Sequence, residues 1–185
     1  MNAIELMMKE HEYIKRMLKV VRKYCYKVLN NENVDYDDFY KIIDFIRNYA
    51  DKHHHAKEEN ILFDTMGNQL GDRIKNGPIM GMIVEHDMGR LYIQNLELAL
   101  EEFKNGDDEA KLDIIANAIS YTHLLNRHID KEDTGIYTFA NSALSKESIE
   151  KVNTESAVVE DEATKIGLQE KYIGLIEELE TKVNK

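Results

Sequence analysis

The chain has 185 residues, 43% of them hydrophobic, which suffices for one well-buried domain and makes two independent cores a stretch. Its 35 acids against 24 lysines and arginines leave a net charge of -11, a field that repels a phosphate backbone and disfavours nucleic acid as a partner. A single cysteine, Cys25, rules out an internal disulfide and any self-contained thiolate metal module; with no apolar run of 18 residues and no N-terminal signal pattern, the expected setting is a reducing cytoplasm away from membranes.

One proline, nine glycines and abundant Glu, Lys, Leu, Ile and Met predict an all-α chain. The first helix is expected from about Asn2 to Leu29, with Ile4, Met7, Ile14, Leu18 and Val21 stepping by three and four. A second runs from about Asp37 to Met66 on Ile43, Ile46, Ala50, Ile61 and Leu62. "GNQLGDRIKNGP" then breaks the pattern, and Pro78 suits the first turn of a third helix reaching about Lys104 on Ile79, Met82, Ile93, Leu96 and Leu100. "NGDD" separates it from a fourth, about Asp108 to Ala140, on Ile114, Ala118, Tyr121 and Leu125. Four amphipathic helices with short links favour an antiparallel up-and-down four-helix bundle over residues 1–140. Residues 141–185 form an acidic extension in which Leu168, Tyr172, Leu175 and Leu179 predict one more helix, packing on the bundle or on another subunit, so a homodimer is a possible state.

Six polar side chains interrupt these stripes. His11 fills the gap between Met7 and Ile14; His54 and Glu58 continue the series 43, 46, 50; His86 fits 79, 82, 86, 89, 93; His128 and Glu132 continue 118, 121, 125. Measured from helix ends that coincide in an up-and-down bundle, all six lie about 12–18 Å from one end, at about 1.5 Å per residue. A repeat supports the convergence. "KEHEYIK" around His11 parallels "VEHDMGR" around His86, and "HHAKEENILF" from His54 parallels "HIDKEDTGIY" from His128, 43 residues on in the first half (11 to 54) and 42 in the second (86 to 128). The chain reads as a duplicated helical hairpin, each half giving two histidines and one glutamate.

Two imidazoles and a carboxylate per half, without thiolates, suit iron or manganese better than closed structural zinc, and two halves suggest two metals. Nearby dications would neutralise two buried glutamates that otherwise cost several kcal/mol, roughly, to hold in a core. The other polar residues take the bland reading. His53 and His123 are expected at the rim or surface, as are His55 and Glu59, about 100° round the second helix from the ligand row. Glu10, Glu12, Glu85 and Asp87 are expected to face solvent, though one could orient an imidazole. Tyr121, Met7 and Met82 are expected to pack the core, and Gly89, one turn beyond His86, either leaves room for a small ligand or eases helix contact.

The Glu-His-acid, His-His-x-Lys-Glu-Glu-x-x-Leu-Phe and His-x-x-Lys-Glu-Asp segments, in this order over residues 1–140, resemble the hemerythrin-like, or HHE cation-binding, proteins. The resemblance implies a bridged di-iron centre and ligand roles for His11, His54, Glu58, His86, His128 and Glu132. Oxygen-carrying hemerythrins present two histidines one turn apart on the third helix; here His86 has Met82 and Arg90 at that spacing, so a five-histidine carrier site is not evident. The implied function is a protein that binds or senses a small diatomic or peroxide, such as dioxygen, peroxide or nitric oxide. The alternative is an enzyme of the oxidative or nitrosative stress response, reducing peroxide or nitric oxide or repairing iron-sulfur clusters, which would draw electrons from an external reductase.

Overall fold

A computed structural model describes residues 2–184, and among them every regular element is helical. Helix α1 (Ala3–Leu29) starts on a capping box: the Asn2 side chain accepts from the Glu5 N–H at 2.9 Å, and the Glu5 carboxylate accepts from the Asn2 N–H at 3.0 Å. Two donors that a helix start leaves free are thereby satisfied. Helix α2 (37–70) continues from Asp37–Phe45 through widened, π-helical turns at Ile46–His55 and Glu58–Phe63 to Asp64–Leu70. Helix α3 (72–104) and helix α4 (111–143) also contain such turns, at Lys75–Ile79 and Glu132–Ile136. Inserted turns of this kind cluster at functional sites. Here three of the four carry or adjoin the inward polar residues.

The third helix starts earlier than Pro78. The chain breaks only at Gly71, whose φ of +85° lies where side chains are disfavoured, and resumes helix at Asp72; Pro78 lies in the second turn, inside the widened stretch Lys75–Ile79 where the ladder is already irregular. The extension holds two helices where one was expected: α5 (Lys146–Lys165), capped by the Ser145 hydroxyl accepting from the Ser148 N–H, and α6 (Leu168–Val183). Between them Gly167 adopts the left-handed conformation. The inward face of α5 is Val152, Ser156 and Ala163, a stripe too small and polar to register as hydrophobic periodicity.

Two apolar clusters divide the interior. One contains Ile14, Leu18, Ile43, Ala50, Ile93, Leu96, Ala118 and Leu125, joined by Tyr172, Ile176 and Leu179 of α6; the other contains Ile4, Met7, Leu62, Met66, Met82, Tyr137 and Ala140. Helices α1 and α3 pass from the second cluster to the first, and α2 and α4 return. At roughly 1.5–3 kcal/mol per fully buried large side chain, these clusters supply the force that holds a polar slab between them. The extension covers the α1 and α2 side, where Glu180 grips Arg16 through two bonds of 3.0 and 2.8 Å. Among the described residues no helix is long and apolar enough to cross a membrane.

Candidate metal centre

The slab between the clusters contains all six residues of the two repeats. His11, His54, Glu58, His86, His128 and Glu132 are each at most 1% exposed. Their geometry is pairwise. The Nε2 atoms of His11 and His54 lie 2.8 Å apart, and those of His86 and His128 also lie 2.8 Å apart. Every one of these rings has its other nitrogen on a carboxylate: Nδ1 of His11 on Asp133 at 2.7 Å, of His54 on Glu10 at 2.7 Å, of His86 on Glu59 at 2.6 Å and of His128 on Glu85 at 2.9 Å. A carboxylate accepts, so each Nδ1 carries a proton and each Nε2 is left as the nitrogen that could ligate an ion. Two lone pairs facing each other repel unless a proton or a metal ion lies between them. Neighbouring ligands of one ion, at about 2.0–2.1 Å from it, stand about 2.8–3.0 Å apart when they subtend a right angle, which is the spacing found.

The two glutamates span both pairs. Glu58 puts Oε1 at 3.6 Å from Nε2 of His54 and Oε2 at 3.5 Å from Nε2 of His86; Glu132 puts Oε2 at 3.4 Å from His11 and Oε1 at 3.0 Å from His128. Oε2 of Glu58 and both carboxylate oxygens of Glu132 are buried without a hydrogen-bond partner, an arrangement native interiors avoid unless something else satisfies it. The remaining oxygen of Glu58 accepts from the Tyr137 hydroxyl. Three oxygens without donors beside four lone pairs fit a pair of dications, and the donor set can hold them. Two overlapping groups within ligating distance, His11 with His54 and Glu58, and His55 with Glu58, His86 and His128, mark the same place.

In the bare residues protons take part of a cation's place: burial works to lower His11, but the Asp133 and Glu132 carboxylates outweigh it and raise that imidazole. Burial, reinforced by His11, pushes the His54 imidazole down to about 3, and burial with His55 pushes His86 down to about 4, so both rings are neutral at pH 7. Burial and then the facing Glu132 raise Glu58 well above the ordinary carboxylate range. Burial also works to raise Glu132, but the His11 and His128 imidazoles outweigh it and hold that group well below its usual value. Two carboxylates in one dry space cannot both stay charged unless a cation joins them.

A description of the hemerythrin HHE cation-binding domain matches residues 2–140. The chain belongs to that family. No curated protein and no solved structure matches it. The family match stops short of α5 and α6, yet the extension touches the hemerythrin site. Buried Lys57 bonds to Glu10 and to Glu160 of α5, and His53 lies 3.1 Å from Glu10 and 3.2 Å from Glu160. Glu10, His53 and Glu160 have the composition of a third cation group, but the Lys57 ammonium already occupies the space between the two carboxylates.

Several expectations are corrected. His53 is buried (4%), not at the rim, because α5 covers that side of α2; His55 is buried (6%) because α3 covers the other. Glu10 is buried and bonded to His54 instead of facing solvent. Glu85 and Glu59 are partly buried and hold His128 and His86. His123 is exposed, as are Glu12 and Asp87. His55 therefore brings a fifth imidazole to the site from α2, not from the third helix. It stacks on His86 with centroids 3.9 Å apart and planes 11° apart. An imidazole binds metal in its own plane, so two stacked rings cannot aim at one ion together without one of them turning. The orienting carboxylates were visible in the repeat: Glu10 and Glu85 each precede the first histidine of a half, and Glu59 and Asp133 each follow the glutamate.

Proposed function

We propose that this hemerythrin-family chain is a non-haem di-iron protein that binds a small oxidant, whether dioxygen, peroxide or nitric oxide. In this reading helices α1 to α4 run up and down, in keeping with the order in which they traverse the two apolar clusters. His11 and His54 would hold one iron and His86 and His128 the other, with the Glu58 and Glu132 carboxylates, each within reach of both pairs, as the anionic ligands. Iron so held would supply a reversible change of oxidation state. The residues do the rest. Asp133, Glu10, Glu59 and Glu85 fix the tautomer and aim of each imidazole, and two of them do so across the repeat, tying His11 to the second half and His86 to the first. Tyr137 steadies Glu58. The apolar clusters above and below exclude water.

One observation carries the reading: four imidazoles whose Nδ1 atoms are committed to carboxylates meet in two pairs at 2.8 Å around two glutamates lacking donors. The chain brings no redox partner of its own, since Cys25, its one cysteine, is buried and burial pushes the thiol up to about 12. Binding rather than turnover is the simpler role; any catalytic cycle would require an external reductase. Metal analysis and Mössbauer spectroscopy on natively purified protein, with absorbance followed on adding oxygen, azide or nitric oxide, provide the test. About two irons per chain and ligand-dependent bands support the proposal; a metal content near zero, or zinc alone, ends it.

A further inference from the structure

Each carboxylate that orients a ligand imidazole is itself held by a cation. Lys15 stands 3.7 Å from Asp133, Lys57 bonds to Glu10, Arg90 reaches Glu59 at 2.8 Å and Lys131 bonds to Glu85. The centre is therefore wrapped in four chains of the same make, imidazole to carboxylate to cation. A cation on such a carboxylate competes with the imidazole N–H for its negative charge. The firmer its grip, the weaker the hold on the ring.

Three of these cations reach solvent, where water can take up the hydrogens their carboxylates leave free. Lys57 does not: it is fully buried beneath α5. An ammonium carries three donors, and in a dry place each of them needs a partner. Glu10 supplies one and Glu160 of α5 another, and Nε2 of His53 lies 3.3 Å away as the third contact. The remaining oxygen of Glu160 accepts from the Gln169 amide of α6 at 2.8 Å, the turn at Gly167 having brought that residue back alongside α5. One continuous chain of contacts thus runs from Gln169 through Glu160, Lys57 and Glu10 to Nδ1 of His54. The matching arm of the second half, His128 to Glu85 to Lys131, ends in water.

We infer that Glu160 is a positioning residue of the metal centre: by sharing the Lys57 ammonium it leaves Glu10 free to hold His54, so the C-terminal extension tunes the ion that His11 and His54 would hold. This rests on the di-iron reading and adds the extension to it. Without the Glu160 charge, the buried ammonium keeps Glu10 as its one anionic partner and settles wholly on it. Glu10 is then a poorer acceptor for the His54 N–H, and the imidazole a weaker donor to a metal. Coupling of this kind is reciprocal, so an ion on His54 also favours the docked extension. Glu160 and Gln169 both lie beyond residues 2–140, so the control is added to the family's domain from outside it.

Two measurements on the full chain test this. In metal-free protein carrying isotope-labelled histidine, Glu160→Gln is expected to move the ring-nitrogen resonances of His54 as well as those of His53, and to leave those of His128 in place. Glu150→Gln, on the exposed face of α5, is expected to move none of them. In ferrous protein, competition with a chromogenic chelator is expected to show one ion held about three- to tenfold more weakly in Glu160→Gln, short of the about 10- to 100-fold that follows loss of a direct partner. The double variant Lys57→Met/Glu160→Gln removes the competing ammonium as well, and its affinity is expected within about twofold of the parent. A residue that only packs α5 in place would show no such rescue. Unmoved His54 resonances in Glu160→Gln, or a double variant as weak as the single one, overturn the inference. If Glu160→Gln fails to fold by circular dichroism, Glu160→Asp, which keeps the charge and shortens its reach, is read through the same resonances, with the His54 signals expected to move. If the parent holds no iron, the di-iron reading falls, while the His54 resonances still judge the action of Glu160 on that ring.

Discussion

Replacing Glu58 with glutamine should have opposite effects on the metal-free and metal-loaded protein. Without metal, Glu58 is fully buried, faces Glu132 and has an oxygen with no donor, and its pKa in the folded chain lies well above 4.5. A carboxyl that binds its proton more tightly when folded stabilises fully below about pH 4.5 and loses that contribution as pH rises toward the folded value. Glu58→Gln imitates the protonated form at every pH. Its advantage is therefore nil near pH 4 and grows to a ceiling at pH 7 set by about 2.5 pH units at about 1.4 kcal/mol each, or about 3.5 kcal/mol. The glutamine keeps an acceptor for Tyr137 and offers an amide donor toward Nε2 of His86, 3.5 Å from the present oxygen, so no new defect offsets the gain. For a chain of this length about 2 kcal/mol corresponds to about 4–8 °C in Tm. Calorimetry of chelator-stripped protein at pH 7 and near pH 4.5 should show the variant melting higher at the first and level at the second. With iron present the order should reverse, because the proposed centre loses one of its two carboxylates. A stripped variant that melts no higher than the parent at pH 7, or an advantage that persists unchanged at low pH, would refute the claim that an unpaired carboxylate strains the empty site.

Chelation of the parent protein should lower Tm, with metal at 100 to 1,000 times its Kd contributing about 3–4 kcal/mol, read by calorimetry with and without chelator. Glu85→Gln leaves the His128 Nδ1 proton facing an amide oxygen instead of a charge, and competition with a chromogenic chelator should show metal affinity about 10- to 100-fold weaker. Tyr137→Phe, which makes the first half resemble the second at Phe63, removes one buried donor from Glu58 and should cost about 1 kcal/mol, seen as a few degrees in the melt. Glu160→Ala leaves the buried Lys57 ammonium with Glu10 alone, and chemical denaturation should show a loss of about 2–4 kcal/mol, although residue 160 lies outside the stretch matching the family.

The helices and the inward residues were legible because both follow from one-dimensional spacing. A histidine at position 11 of a stripe 4, 7, 14, 18 has to face the core whatever the neighbouring helices are, and the same holds for His54, Glu58, His86, His128 and Glu132. What escaped the sequence depends on which surfaces meet. His53 and His55 lie on the flanks of α2, where spacing predicts solvent; they are buried because α5 closes one flank and α3 the other, and no periodicity within α2 carries that information. The wide turns at 46–55 and 58–63 add to the error, since a helix bonded to the fifth residue back does not keep the 100° step by which His55 was placed off the ligand row. Glu160 was illegible for a related reason: α5 packs through Val152, Ser156 and Ala163, and small residues bury a helix face without a hydrophobic stripe. The repeat, by contrast, held more than its ligands. Its four orienting carboxylates sit at matched positions, while positions around them differ, among them Ile14 against Gly89, His55 against Ile129 and Phe63 against Tyr137. A duplicated site is thus most informative where its copies disagree: the shared residues are those the metal requires of both halves, and the unshared ones are free to make one half do something the other does not.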